Sequence, residues 1–326
     1  MGSNKHVPVT ILTGFLGSGK TTLLNRILKE DHGLKIAVIE NEFGEEGIDN
    51  ELLLQSSDEQ IVEMNNGCIC CTVRGDLVRI LGDLRDRRES GAIKFDRVVI
   101  ETTGMADPGP VAQTFFIDDD IADYYLLDAV ITLVDAKHGN TQLNGQKEVQ
   151  EQVGFADRIW LSKADLVSEA ELSSLTARLS RMNPRAPIKP MKFGDAPISE
   201  LLDIRGFNLN SILEINPQFL VSDEHEHDDN VQSFVFRSNR PFDSSKLEDF
   251  LSGIIQVYGQ DMLRYKGVLF MKGSDKQTIF QGVHQMMGAD QGKRWPPGEK
   301  PSSKMVFIGR NLPKETFIKG LEQCLA

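Results

Sequence analysis

Gly14-Phe15-Leu16-Gly17-Ser18-Gly19-Lys20-Thr21 is the stretch from which the rest of this chain is read. It fits the pattern G-x4-G-K-[ST], a phosphate-binding loop. Its surroundings agree: Val7 to Thr13 is an apolar, β-rich run that enters the loop, and Lys20 to Glu30 leaves it with helical spacing. Gly14, Gly17 and Gly19 let the backbone wrap tightly, so that successive N–H groups, that of Ser18 among them, face a phosphate. The start of the helix adds the positive end of its dipole. Lys20 is expected to reach the β- and γ-phosphates, and the Thr21 hydroxyl to ligate Mg²⁺.

Outward from the loop, short apolar runs alternate with helical patterns. Lys35 to Asn41, Phe95 to Glu101, Leu126 to Asp135 and Arg158 to Ser162 read as strands; Gly75 to Glu89, Gln146 to Gly154 and Ser168 to Met182 read as helices. This alternation predicts an α/β fold, a P-loop NTPase domain with a mainly parallel sheet and helices on both faces. Prolines 184, 187, 190 and 197 then mark loops, and Asp223 to Asp229 is a solvated charge run containing His225 and His227. Beyond it, Val231 to Arg237 alternates as a half-buried strand and Ser244 to Tyr258 is helical. Leu263 to Met271, Thr278 to Val283 and Met305 to Gly309 are strand-like, and a last helix follows Pro313. The expected division is a P-loop NTPase domain at 1–205, an acidic linker at 206–230 and a smaller α+β domain at 231–326.

The 326 residues carry 36 Lys+Arg against 48 Asp+Glu, a formal charge of −12, which argues against a broad grip on a nucleic-acid backbone. No apolar run approaches the ~20 residues needed to span a bilayer, so no membrane association is expected. Four cysteines are too few for a disulfide scaffold, and three of them lie within four residues; a cytoplasmic protein with a thiolate cluster is the expectation.

Two companions sharpen the nucleotide reading. Val98-Val99-Ile100-Glu101-Thr102-Thr103-Gly104 is an apolar strand ending in an acid and then a glycine. In phosphate-loop enzymes an acid here supports Mg²⁺ or the attacking water, and the glycine N–H touches the γ-phosphate. Leu161-Ser162-Lys163-Ala164-Asp165 ends another apolar strand. A lysine stem lies over a purine while the Asp165 carboxylate accepts from guanine N1–H and N2–H₂, a donor pair adenine lacks, so GTP is the expected nucleotide. Ser162 stands where the more familiar form has Asn. The segments Glu40 to Asp49 and Met105 to Val111 follow strands at the phosphate end and read as loops that order on the γ-phosphate.

Asn66-Gly67-Cys68-Ile69-Cys70-Cys71 carries the most distinctive chemistry. Thiolates at i, i+2 and i+3 converge on one ion when the chain turns after Cys70; a straight strand sends Cys71 to the opposite face. Three thiolates favour Zn²⁺ or another borderline ion and leave a position open, which suits a carrier. Glu40, Glu42 and Glu45 are the nearest extra ligands. Buried apolar cysteines and a redox pair are the competing readings, the second weakened by the single residue between Cys68 and Cys70.

With these motifs together the chain resembles the CobW-type GTPases. The resemblance is carried by Gly14 to Thr22 (GFLGSGKTT), Glu40 to Gly44 (ENEFG), Asn66 to Cys71 (NGCICC), Glu101 to Pro110 (ETTGMADPGP) and Ser162 to Asp165 (SKAD). Arg264 to Gly267 and Met305 to Gly309 extend it into the C-terminal domain. It implies a slow GTPase that binds a transition metal, Zn²⁺ or else Co²⁺ or Ni²⁺, and serves a client metalloprotein as chaperone or insertion factor. It implies nucleotide contacts through Thr22 as well, an acid-x-x-Gly element at Glu101 and Gly104, and metal ligation by Cys68, Cys70 and Cys71 with Glu40 and Glu45. Association into a homodimer through nucleotide or metal is also implied. The family's histidine-rich linker is reduced here to His225 and His227. The rival readings are a non-enzymatic metal-binding module and an ATP-dependent small-molecule kinase.

Overall fold

Val7–Gly14, apolar on both faces, forms strand β1, and all but Pro8 of its residues are buried, which only an interior strand permits. In the computed structural model, which describes residues 6–40, 61–63, 72–206, 229–296, 298 and 300–326, β1 is the middle of seven strands. Chain order then gives helix α1 (Lys20–Lys29), β2 (Ile36–Glu40), β3 (Ile61–Glu63), α2 (Thr72–Glu89), β4 (Arg97–Glu101), α3 (Gly109–Ile117), α4 (Asp119–Tyr124), β5 (Tyr125–Asp135), α5 (Gly139–Gly145), α6 (Lys147–Phe155), β6 (Arg158–Ser162), α7 (Glu169–Met182) and β7 (Ile188–Pro190). The sheet order is β3-β2-β4-β1-β5-β6-β7, and every pairing is parallel.

Leu23, Leu24, Ile27 and Leu28 repeat at helical spacing on α1 and pack with Leu12, Val38 and Leu133 into one core cluster. Each such side chain contributes about 1.5–3 kcal/mol when fully buried. At the other end of the strands, the β1–β5 register slips between Val9 and Thr10, leaving Asp128 as an extra residue. Its buried carboxylate accepts from the Arg97 guanidinium at 2.8 Å and from the backbone N–H groups of Ile204 (3.2 Å) and Arg205 (2.7 Å). The two backbone hydrogen bonds fasten residues 204–205 to the foot of the sheet.

The chain after residue 229 supplies β8 (Val231–Ser238), α8 (Ser244–Tyr258), β9 (Met262–Phe270), β10 (Lys276–Val283), β11 (Met286–Arg294), β12 (Ser303–Arg310) and α9 (Lys314–Gln323). The five strands form an antiparallel sheet in the order β11-β10-β9-β12-β8. Its aromatic core stacks Phe234 on Phe307 (5.3 Å between centroids), with Phe317 of α9 edge-on to both. Asp243 caps α8 by accepting from the Lys246 N–H at 3.2 Å.

Two compact units result. The first comprises Met1–Gln152, Ala156–Thr176 and Pro187–Gly206; the second comprises Val153–Phe155, Ala177–Ala186 and Phe207–Ala326. Among the described residues no helix is long and apolar enough to cross a membrane.

Local readings differ from the structure in three places, the first being Pro190, read as a loop marker, which ends the short edge strand β7. Residues 105–111 read as a loop, yet α3 begins at Gly109, because Pro110 lies within the first helical turn, where its missing N–H costs nothing. Strand β11 was not expected: Met286 to Arg294 lacks apolar alternation, and its ladder to β10 makes it a strand.

Candidate nucleotide and metal site

Because all seven strands of the first sheet run parallel, their carboxyl ends share one edge. There β1 leads into the phosphate loop, β4 ends at Glu101, β5 at Asp135 and β6 at Ser162. The strand order changes direction across β1, with β4 on one side and β5 on the other, which in α/β sheets is where ligands bind.

The phosphate loop is shaped by three positive φ angles, at Gly14 (146°), Gly17 (71°) and Gly19 (95°). A side chain on Gly14 would meet the Leu133 carbonyl at 2.4 Å, so this position admits no Cβ. Lys20 is 8% exposed, and its ammonium donates to the carbonyls of Gly14 (2.8 Å) and Phe15 (3.4 Å). Burial pulls its pKa below the ordinary lysine value, and the Glu101 carboxylate opposes that shift. The Ser18 hydroxyl is fully buried in the loop with no hydrogen-bond partner among the described residues. An orphaned buried hydroxyl costs about 1–3 kcal/mol, a debt that a phosphate oxygen would cancel.

Thr21 Oγ1 donates to Glu101 Oε1 at 3.3 Å, so the two oxygens proposed for Mg²⁺ already meet. An alcohol and a carboxylate beside a phosphate loop suit a hard cation. The turn after Glu101 is pinned at several points. Thr102 Oγ1 donates to Thr13 Oγ1 (2.8 Å), and the Thr102 N–H donates to Leu12 O (3.0 Å). A Cβ on Gly104 would fall 2.6 Å from the Leu16 nitrogen, so this glycine is what lets the turn lie against the loop. Gln152, 1% exposed on α6, donates through Nε2 to the carbonyls of Gly104 (3.2 Å) and Ala106 (3.1 Å).

On the other side of β1, a Cβ on Gly19 would lie 3.9 Å from the Ser162 Cβ, so the loop rests directly on the Ser162–Asp165 motif. Ser162 Oγ donates to Val134 O at 3.4 Å. Lys163 takes a left-handed conformation (φ 56°) and sends Nζ to Asp135 Oδ2 at 2.7 Å. Asp135 is 2% exposed and also accepts from the backbone N–H groups of Lys137 (2.8 Å) and His138 (3.1 Å); His138 Nδ1 stands 3.0 Å away. Burial alone would raise the Asp135 pKa; the hydrogen bonds from Lys163, His138 and the two backbone groups outweigh it and hold the carboxyl below its usual range. Asp165 is exposed, open to a base edge.

Of the ligands expected for the transition metal, Glu40 alone lies within the described residues. Glu40 is 7% exposed at the end of β2, in register with Glu101 of β4 on one side and Glu63 of β3 on the other. Glu42, Glu45, Cys68, Cys70, Cys71, His225 and His227 lie outside the described residues. Among the described residues no group of three or more His, Cys, Asp or Glu side chains is arranged to hold a metal ion.

The sequence reading missed three features of this edge. Asp135 ends an apolar strand in an acid, the same signal that exposed Glu101. Gln152 is one amide on a helix and carries no signal. The segment Met191 to Ala196 shows only loop punctuation, yet the Met191 N–H donates to Leu161 O at 2.9 Å and the Ala164 N–H to Met191 O at 3.4 Å, fixing it beside the Ser162–Asp165 motif.

Comparison with known proteins agrees with this layout. Residues 8–190 match the model of the CobW/HypB/UreG nucleotide-binding domain, and residues 231–325 match that of the cobalamin synthesis protein cobW C-terminal domain. The chain is 45% identical over 310 residues to the zinc chaperone YjiA of Escherichia coli, covering 95% of this chain and 96% of that one. It is 34% identical to the zinc-regulated GTPase metalloprotein activator 1 of Dictyostelium discoideum, covering 98% and 80%. The crystal structure of the Zn(II)-bound YjiA GTPase superposes with a TM-score of 0.80 at 39% identity, covering 99% of this chain and all of that one.

Proposed function

This chain belongs to the CobW family, and from that premise we propose that it is a slow GTP hydrolase that binds zinc and delivers it to a client metalloprotein. The observation that carries this reading is the gathering on one sheet edge of the Gly14–Thr21 loop, the Glu101–Gly104 turn and the Ser162–Asp165 motif, with Glu40 in register with Glu101. The names of the relatives as zinc chaperone and zinc-regulated GTPase support the cargo and the nucleotide.

Residues 1–205 carry the chemistry. The loop N–H groups from Gly14 to Thr22 and the Lys20 ammonium bind the β- and γ-phosphates. Thr21 and Glu101 are the oxygen donors that would hold Mg²⁺, which when bound neutralises charge on the phosphates. The turn ending at Gly104 presents its N–H to the γ-phosphate while water attacks the phosphorus. The bond to the β-phosphate breaks, leaving GDP and phosphate. Ser162, Lys163 and Asp165 receive the guanine.

Zinc is the cargo, held by Cys68, Cys70 and Cys71 with carboxylates from Glu40 and Glu45; Co²⁺ and Ni²⁺ suit the same donors, and supply in the cytoplasm selects among them. GTP draws the Glu40–Asp49 and Glu101–Val111 segments into a metal-competent arrangement, and hydrolysis releases the ion. Residues 206–230 link this machinery to 231–326, where a client docks, and nucleotide or metal joins two copies of the chain. Reciprocity requires zinc to tighten GTP binding by the factor with which GTP tightens zinc binding.

The test is a Zn²⁺ titration against a competing chelator, run apo, with GDP–Mg²⁺ and with a non-hydrolysable GTP analogue. Tighter, roughly 1:1 binding with the analogue alone, lost in Cys70→Ala, is the expected result. Equal affinity in all three states refutes the linkage.

A further inference from the structure

We infer that Phe193 is the second wall of the purine slot, the aromatic face on which the guanine stacks opposite the stem of Lys163. The inference rests on the reading of Ser162 to Asp165 as the base-recognition motif and adds a residue to it.

Phe193 is anomalous in two independent ways. It is 84% exposed, more than any other large hydrophobic residue described. It also holds φ at +47°, the left-handed region that side chains other than glycine enter only at a cost. An exposed ring on a strained backbone persists where the surroundings enforce it, and such strain gathers at ligand sites.

Here the surroundings do enforce it, from both halves of the nucleotide site. Two residues earlier, Met191 is hydrogen-bonded to Leu161 and Ala164, on either side of Ser162 and Lys163. One residue later, the Gly194 carbonyl accepts from the Arg26 guanidinium of α1. Gly194 (φ +76°) comes so close to the first turn of α1 that a Cβ would stand 3.5 Å from the Leu23 Cα and 3.6 Å from the Thr22 carbonyl. The loop is closed within itself by the Lys192 N–H to Asp195 Oδ1 (2.7 Å) and the Ala196 N–H to Gly194 O (2.8 Å). Phe193 is therefore held where the chain leaving the phosphate loop and the Ser162–Asp165 motif approach each other. A planar purine needs two flat walls and one polar edge. Lys163, tethered at Asp135, supplies one wall, Asp165 the edge, and Phe193 the remaining wall.

The test uses the full chain and titrates GDP, GTP and inorganic tripolyphosphate. Base–aromatic stacking is worth about 1–3 kcal/mol, so Phe193→Ala should weaken GDP and GTP together by about 5- to 150-fold while tripolyphosphate binding stays put. Phe193→Tyr should restore affinity to within about threefold of the parent, a margin well under the stacking contribution. Phe193→Gly separates function from folding, because it relieves the left-handed strain: the melting temperature should rise while GDP affinity falls. Unchanged GDP affinity in the Ala and Gly variants overturns the inference, as does an equal loss for tripolyphosphate. Asp165→Asn is run alongside. If it loses guanine preference while Phe193→Ala is silent, only the stacking role fails. If it keeps the preference, the base-end reading falls and this inference with it.

Discussion

The two halves of the nucleotide site are built on opposite principles. The phosphate half, from Gly14 to Thr21 with the Glu101–Gly104 turn, is backbone against backbone: glycines at φ 146°, 71° and 95°, and a close approach at Gly104 that leaves no space for a methyl group. The base half is made of side chains, with Lys163, Asp165 and Phe193 all reaching solvent and their geometry depending on Asp135 and the Met191 hydrogen bonds. A phosphate is recognised through many N–H groups fixed by chain path, so its site tolerates no change of shape. A base is recognised through a few side-chain groups, so its site fails one contact at a time.

If that contrast holds, damage to the phosphate half should be large. Lys20→Ala should lower single-turnover phosphate release by about 1000-fold, the scale on which removal of one buried cationic or dipolar donor acts. Gly104→Ala should follow at about 100-fold in kcat with little change in GDP affinity, since the methyl group separates the turn from Leu16 without touching the diphosphate. A Gly104→Ala protein with parental kcat would break the comparison.

In the base half, Asp135→Asn should weaken GDP and GTP alike by about tenfold, because Lys163 loses its charged partner. The same variant sharpens the comparison through pH. The native carboxyl titrates below its unfolded value of ~3.9, so its stabilisation is complete above about pH 4 and is lost as pH falls through the lower native value. Thermal melts from pH 7 to pH 3 should show the gap between parent and Asp135→Asn closing on the acid side; a constant gap would remove Asp135 from this role. Gln152→Ala should have the smallest effect, about three- to tenfold in kcat/KM, because two neutral hydrogen bonds are lost while the Gly104 contact remains. Steady-state kinetics decides it.

How much of this was written in the chain follows from the same contrast. Backbone recognition leaves a mark in glycine spacing, so the phosphate loop, its flanking strand and helix, and the α/β class were legible. Glu101 was legible because it ends an apolar strand ahead of a glycine. Asp135 ends an apolar strand too, but its partners, Lys163 and His138, are brought to it by the pairing of β5 with β6 and by a turn, neither of which is a spacing. Gln152 matters through the carbonyls of residues 104 and 106, a contact between elements far apart in the chain. Phe193 is one aromatic between a lysine and a glycine, and its exposure and backbone angle exist only once the loop is folded. Strand β11 shows the limit most plainly, since a polar stretch became a strand through the ladder offered by β10.

The position of β1 between β4 and β5 has a consequence for how such a molecule can change by descent. Glu40 and Glu101 end strands on one flank of β1, and the Ser162–Asp165 motif begins at the end of a strand on the other. On the proposed roles, a lineage could alter Asp165 or Phe193 to suit another nucleotide, or Glu40 to suit another ion, with few shared residues forcing one change to spoil the other. The middle strand and its loop are the inheritance common to both flanks, and they are where variation should be least forgiven.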